Sequence, residues 1–306
     1  DERQGQDREE AGRLGDFIEK TRELHQLYLE RLQDVSGEKL ETLDPIAGVM
    51  SLPLPTLAEA LAPLVKSFPT LGPLVPRAQQ FARKVKDRSR SLSEHEVGAI
   101  HLYTVQSVLY RQLNAVLRDP DRTKAAPWRP YLRLFLSAAS KLSASAPPAG
   151  SLWRGVPKNL SREYSRGRSV TWWGVSSCTP SLAVARSFLG STGGRTLFEI
   201  VPLSAVSIRA FSAFTGEDEY VLAPGTRLEV LEVTPGESGL FHVKLAERAS
   251  DVWSIPDSQA APARPSIEPF PEIVEAPATL KPIGTPVALI VAAVAGAALL
   301  LTWLLR

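Results

Sequence analysis

Glu217 and Glu219 stand two residues apart in Phe214-Thr215-Gly216-Glu217-Asp218-Glu219-Tyr220-Val221-Leu222, where a glycine-containing turn leads into an aromatic and β-branched run. Alternation along an extended chain carries residues i and i+2 to one face, so both carboxylates are expected to look into one cleft. Paired acids there suit two tasks, steadying a developing cation and orienting or deprotonating a nucleophile. The spacing alone is weak, because average glutamate usage yields about one such pair by chance in a chain of this length. Glu94 and Glu96 share it. There, however, Ser93-x-x-Glu96 reads as a capping box that opens a helix, which explains Glu96 without chemistry. No helix signal explains Glu217 and Glu219.

Three further segments precede this turn in order. Trp153-Arg154-Gly155 puts a cation at a strand end beside a glycine whose backbone a ligand can approach closely. Trp172-Trp173-Gly174-Val175-Ser176-Ser177-Cys178-Thr179 is a strand ending in consecutive hydroxyls, and Thr196-Leu197-Phe198-Glu199-Ile200 is a strand with a single acid. Each also has a plain structural reading: a surface arginine, a serine-rich turn, a core strand and a charged hairpin.

The elements that would position these residues fall into two regimes. From Ser93 to Leu142 the pattern is helical, with an apolar stripe through Val97, Ile100, Tyr103, Leu109, Leu113 and Leu117, and Pro127 to Pro130 break it before a second helix. Upstream, Thr56-x-x-Glu59 caps a short helix and Pro76 starts another. Residues 8–35 carry near-heptad apolar positions among many charges, as in an amphipathic helix or coiled-coil arm. After residue 150 the runs shorten and turn β-rich: 151–156, 169–175, 195–201, 206–211, 220–222, 227–233 and 240–245, with one helix over 181–189. Helices first and strands after make an α+β fold. The expected organisation is a helical N-terminal region (1–90), a strand-rich domain (91–250), a Pro-rich linker (251–281) and an apolar helix (282–305).

Together the four segments resemble the arginine-modifying mono-ADP-ribosyltransferases, a family marked by an Arg, a Ser-containing strand and a Glu-x-Glu turn. Arg154, Ser176 and the pair Glu217 and Glu219 fall on those marks. The likeness extends to Glu96-Val97-Gly98-Ala99-Ile100-His101-Leu102-Tyr103-Thr104 and to Pro224-Gly225-Thr226, covering residues 92–250. One departure is the family's Ser-Thr-Ser, which stands as Ser176-Ser177-Cys178 here. The resemblance implies an ADP-ribosyltransferase-like core, NAD as substrate, no metal, and a protein with an accessible arginine as acceptor. In that case Glu219 bonds the ribose 2′-hydroxyl beside an oxocarbenium-like centre, Glu217 orients the acceptor guanidinium, Ser176 orients Glu219, and Arg154 and Gly155 hold the NAD. An NAD glycohydrolase, with water replacing the acceptor, and a silent membrane-tethered interaction module stand as alternatives.

Composition bounds the rest. With 306 residues, 44% hydrophobic and 22% charged, the chain can bury a sizeable core. A net charge of +2, with Lys and Arg scattered except for the run Arg83 to Arg90 that reads as a solvated helix face or linker, does not indicate a nucleic-acid footprint, and four His with one Cys in no ligand spacing argue against a structural zinc site. Cys178 would be an unreactive thiol, since its neighbours in sequence offer no cation to lower its pKa. Eight prolines between Ser254 and Pro286 make an extended tether, and the 24 residues Pro282 to Leu305 hold no ionisable group and are long enough to span a bilayer. A glycolipid-anchor signal, used by relatives in the family, also ends in such a run. The lone cysteine favours a cytosolic catalytic domain, whereas the triplet Asn159-Leu160-Ser161 favours the outside.

Overall fold

Two capping boxes start the helical layer of this computed structural model, which describes residues 31, 43–85, 88, 91–145, 150–187, 189–214 and 216–250. The chain divides into units 1–260 and 261–306, and every described residue belongs to the first. Helix α1 (Leu57–Ser67) is capped by Thr56, α2 (Leu74–Val85) carries Pro76 in its first turn, and α3 (Glu94–Thr104) is capped by Ser93. In both boxes the cap hydroxyl accepts from the glutamate N–H three residues on, and that carboxylate reaches back to the cap N–H. Backbone donors that a first turn leaves open are thereby satisfied.

The helical run expected from Ser93 onward is interrupted twice. Val105 is extended at φ −69° and ψ 142°, so the apolar stripe is shared between α3 and α4 (Leu109–Leu117). A 3₁₀ segment, Arg122–Trp128, then leads into α5 (Arg129–Ser145), where Pro130 sits in the first turn and its missing N–H breaks no helical bond. Gly98 lets α1 and α3 close together, because a Cβ there would stand 2.6 Å from Leu57 Cδ2. One apolar cluster runs from Ile46 through Leu61, Ala78, Val97 and Phe135 to Val221. The boundary expected at residue 90 therefore falls inside a single packed body.

The strands follow as β1 (Leu152–Val156), β2 (Ser169–Trp172), β3 (Ser176–Cys178), then α6 (Leu182–Ser187), β4 (Arg195–Val201), β5 (Val206–Ser207), β6 (Tyr220–Leu222), β7 (Thr226–Pro235) and β8 (Leu240–Arg248). They build a five-stranded sheet in the order β1-β4-β8-β7-β2 and a three-stranded sheet in the order β3-β6-β5. Only β4 and β8 pair in parallel among these strands. The strand expected over 169–175 thus stops at Trp172, and Trp173-Gly174-Val175 carries the chain from one sheet to the other.

Side-chain parity on the smaller sheet matters for the site. Val221 packs with the helices, whereas its neighbour Leu222 packs with Trp172 and Phe198 between the sheets. The small sheet is therefore a middle layer, apolar on both faces, as a doubly covered sheet must be. A bridge between Trp153 and Thr179 fastens it to the larger sheet, with N–H to O distances of 2.7 and 2.9 Å. The linker expected at 251–281, the membrane helix expected at 282–305 and all of the N-terminal arm except Arg31 lie outside the described residues. Among the described residues no helix is long and apolar enough to cross a membrane.

Candidate active site

Glu217 and Glu219 precede β6 rather than lying on it. The Glu217 N–H donates to Phe214 O at 3.2 Å and the Glu219 N–H donates to Glu217 O at 3.1 Å, a tight turn that gives the two acids different surroundings. Glu217 is half-buried and Glu219 has 0% exposure. Asp218, between them, pairs with Arg209 on the surface at 2.5 Å. The expectation that both acids share one strand face gives way to a turn with one acid facing inward and one at its rim.

Glu219 is held by a residue no local pattern pointed to. Arg31 Nε donates to Oε1 at 3.1 Å and Arg31 Nη2 donates to Oε2 at 2.9 Å. Its Nη1 donates to Thr104 O at 3.2 Å, and the guanidinium carbon lies 5.0 Å from the centre of the Phe214 ring. Burial disfavours the Arg31 charge, but Glu219 more than offsets this and leaves the guanidinium pKa raised.

The two serines of β3 point to opposite layers. Ser177 is paired with Val221 and Ser176 with Leu222, so Ser177 faces the helices and Ser176 the inter-sheet core. Glu219 lies two residues before Val221, and its carboxylate joins the helical side through Arg31 and Thr104. Ser177 Oγ is 3.3 Å from Tyr103 Oη, on the residue beside Thr104, whereas Ser176 Oγ donates to Gly174 O at 3.2 Å. Ser176 is thus the serine turned away from Glu219. Asn114 on α4 fixes this arrangement: its Nδ2 donates to Val175 O at 3.2 Å and its Oδ1 accepts from Val175 N–H at 2.9 Å. Two bonds to the backbone N–H and C=O of one residue set the angle at which β3 begins. Ser177, Tyr103, Asn114 and Arg31 were all missed as site residues. The sequence nevertheless held a signal near each: Ser177 in the hydroxyl-ending strand, Tyr103 in the Glu96 to Thr104 segment, Asn114 in the helical stretch within 92–250 and Arg31 in the heptad-like strip.

Arg154 was expected to reach NAD, but it has 0% exposure and its Nη1 donates to Ser177 O at 2.7 Å, while its guanidinium carbon lies 5.7 Å from the Trp172 ring centre. Its fork links β1 to the backbone of the serine strand. Gly155 has a cause of its own: a Cβ there would lie 2.3 Å from Ala185 O and 3.2 Å from Leu189 Cδ2. Helix α6 needs that space, which explains the glycine without a ligand. Cys178 does have a cation nearby, Arg154, contrary to the expectation. Burial nevertheless pushes its thiol up to about 12, so it stays protonated. Among the described residues no cluster of His, Cys, Asp or Glu is arranged to hold a metal.

A family model described as NAD:arginine ADP-ribosyltransferase matches residues 76–252, from within α2 to beyond β8. The chain belongs to this family. The chain carries all four segments singled out above inside the matched range. Its curated relatives include the GPI-linked NAD(P)(+)–arginine ADP-ribosyltransferase 1 of Oryctolagus cuniculus, 27% identical over 167 residues, and that of Mus musculus, 27% identical over 166 residues. Each alignment covers 51% of this chain and 50% of the relative, so the chain spans about half the length of the curated relatives it matches. Among solved structures, the Vis toxin, an ADP-ribosyltransferase from Vibrio splendidus, is 21% identical with a TM-score of 0.43, covering 57% of this chain and 87% of its own. A eukaryotic mono-ADP-ribosyltransferase in complex with NADH is 16% identical with a TM-score of 0.49, covering 64% and 84%.

Proposed function

We propose that this chain transfers ADP-ribose from NAD to the guanidinium of a protein arginine and releases nicotinamide. The observation that carries the reading is the Glu219 carboxylate, fully buried beside the serine strand inside the family-matched range. Breaking the nicotinamide–ribose bond leaves the electron pair on the nicotinamide nitrogen and positive charge on the ribose carbon and ring oxygen. An anion fixed in a low-dielectric wall stabilises that charge more than a hydrated one does. Glu219 takes this part and accepts from the ribose 2′-hydroxyl. Glu217, at the rim of the turn, orients the incoming guanidinium and takes its proton as the new C–N bond forms. Ser177 with Tyr103, rather than Ser176, positions Glu219, while Arg154 and Gly155 act one layer back, holding β1, β3 and α6 in place.

The test uses the full chain with NAD and agmatine, reading released nicotinamide and modified agmatine separately. Glu219→Gln is expected to lower both by about 100-fold or more. Glu217→Gln is expected to abolish transfer while nicotinamide release to water continues, and equal loss of both would overturn the division of labour. Release without transfer by the unaltered chain would make it an NAD glycohydrolase.

Residues 282–305 are proposed to attach the protein to a membrane, with 251–281 as the tether. The length and apolarity of the segment support this; the description of the curated relatives as GPI-linked supports membrane association by the other route, in which such a tail is removed. A retained helix requires residues 287–306 in the mature protein, and their absence from its mass would refute one. For the side of the membrane we keep the cytosolic reading drawn from the lone cysteine. Asn159 is exposed, its Oδ1 accepting from the Ser161 N–H at 3.0 Å, so a sugar found on Asn159 would reverse the orientation.

A further inference from the structure

Arg31 stands 188 residues from Glu219 in the chain, yet takes both carboxylate oxygens, at 3.1 and 2.9 Å. Both side chains have 1% exposure. The guanidinium is bonded at all three nitrogens, to Glu219 Oε1, Glu219 Oε2 and Thr104 O, and lies against the Phe214 ring. This is a built guanidinium seat rather than a surface ion pair, and its floor is the acid assigned above to the ribose. The group that fills it is of the same chemical class as the acceptor.

We propose that Arg31 is an internal blocker, a guanidinium delivered by the chain onto Glu219 that must leave before NAD can bind productively. A carboxylate bonded at both oxygens and left with 1% exposure has its charge compensated and no open edge, so it neither accepts from a ribose hydroxyl nor stabilises a ribosyl cation. NAD then binds only the fraction of molecules in which Arg31 is displaced, and its apparent affinity falls by that fraction. The naming of NAD rests on the function proposed above; the seat and its occupant do not. Whatever draws Arg31 out of the seat would switch the enzyme on.

The experiment measures, by calorimetry on the full chain, binding of a carba-analogue of NAD whose glycosidic linkage cannot break. Arg31→Met is expected to bind it about tenfold or more tightly than the unaltered chain. Millimolar guanidinium is expected to weaken that binding in Arg31→Met by refilling the seat, with little effect where Arg31 is present. Arg31→Lys, which keeps a charge but loses the fork, is read in the same way should the methionine variant fail to fold. Equal affinities for the analogue, or loss of folding in both variants, would overturn the proposal and leave Arg31 a structural partner of Glu219. Turnover separates the two readings. Tighter analogue binding by a variant that transfers nothing leaves the blocker standing without the transferase, whereas equal NAD affinity in chains that both transfer removes the blocker alone.

Discussion

At the scale of single residues, the site turns on which hydroxyl faces which carboxylate. Ser177 and Ser176 are chemically identical neighbours, both buried, yet their strand partners place them in different layers. Ser177→Ala removes the hydroxyl at 3.3 Å from Tyr103 and is expected to lower kcat for transfer by about tenfold, near 1.4 kcal/mol of barrier. Ser176→Ala, which loses only a bond to Gly174 O, is expected to stay within a few-fold. Steady-state kinetics on the two variants, in one preparation, checks the assignment, and the reverse ranking would return the role to Ser176. Cys178 belongs at this scale too. With its thiol pushed up to about 12 it is protonated throughout the neutral range and sealed from reagents. Alkylation in the native protein is expected to be far slower than in the unfolded chain, and Cys178→Ser is expected to leave activity within a few-fold.

At the scale of elements, β1 is gripped from two directions. Arg154 ties it to β3 through Ser177 O, and the missing side chain of Gly155 admits the carbonyl of Ala185 from α6. Gly155→Ala places a methyl 2.3 Å from that backbone oxygen, a contact no rotamer change relieves. The helix or the strand must shift, and a loss of about 1–3 kcal/mol is expected in chemical denaturation. Because Arg154 precedes Gly155 on the same strand, a falling kcat with little change in the NAD KM is expected alongside. A variant with unchanged stability would show that α6 can yield at that point.

Across the whole molecule, Glu96 ties the helical layer together. Its carboxylate, with 0% exposure, accepts from Ser137 Oγ at 2.6 Å and from the Ser93 N–H at 2.7 Å, and meets Lys141 Nζ at 2.8 Å. Burial alone would raise its pKa; Lys141, Ser137 and Ser93 more than reverse this, leaving it below the ordinary 4.5. A proton therefore binds the folded protein less readily than the unfolded chain. The stability Glu96 adds is complete above about pH 4.5 and fades as pH falls through the lower folded value. Glu96→Gln is expected to cost roughly 1–3 kcal/mol at neutral pH and to flatten the decline of stability with acid. Urea unfolding at pH 7 and pH 3.5 measures both, and a parallel loss at the two pH values would contradict the direction of the shift.

Signals that act within about four residues were legible from the amino-acid order. The boxes at Thr56 and Ser93, the helix opened near Pro130, the extents of β1, β4 and β6, and the Glu-x-Glu turn all rest on local backbone chemistry and came through with small changes of boundary. The family likeness was legible too, since it lies in residue types in order. The break between β2 and β3 was not, because Trp172 and Trp173 read as one apolar run until packing assigns them to different layers. Parity is the sharper case. A one-residue difference in register exchanges Ser176 for Ser177, and register is decided by which core each partner strand fills. The Arg31 contact with Glu219 and the burial of Arg154 have the same origin. Each depends on a partner far away in the chain, and no local preference of backbone or side chain encodes which distant group will arrive.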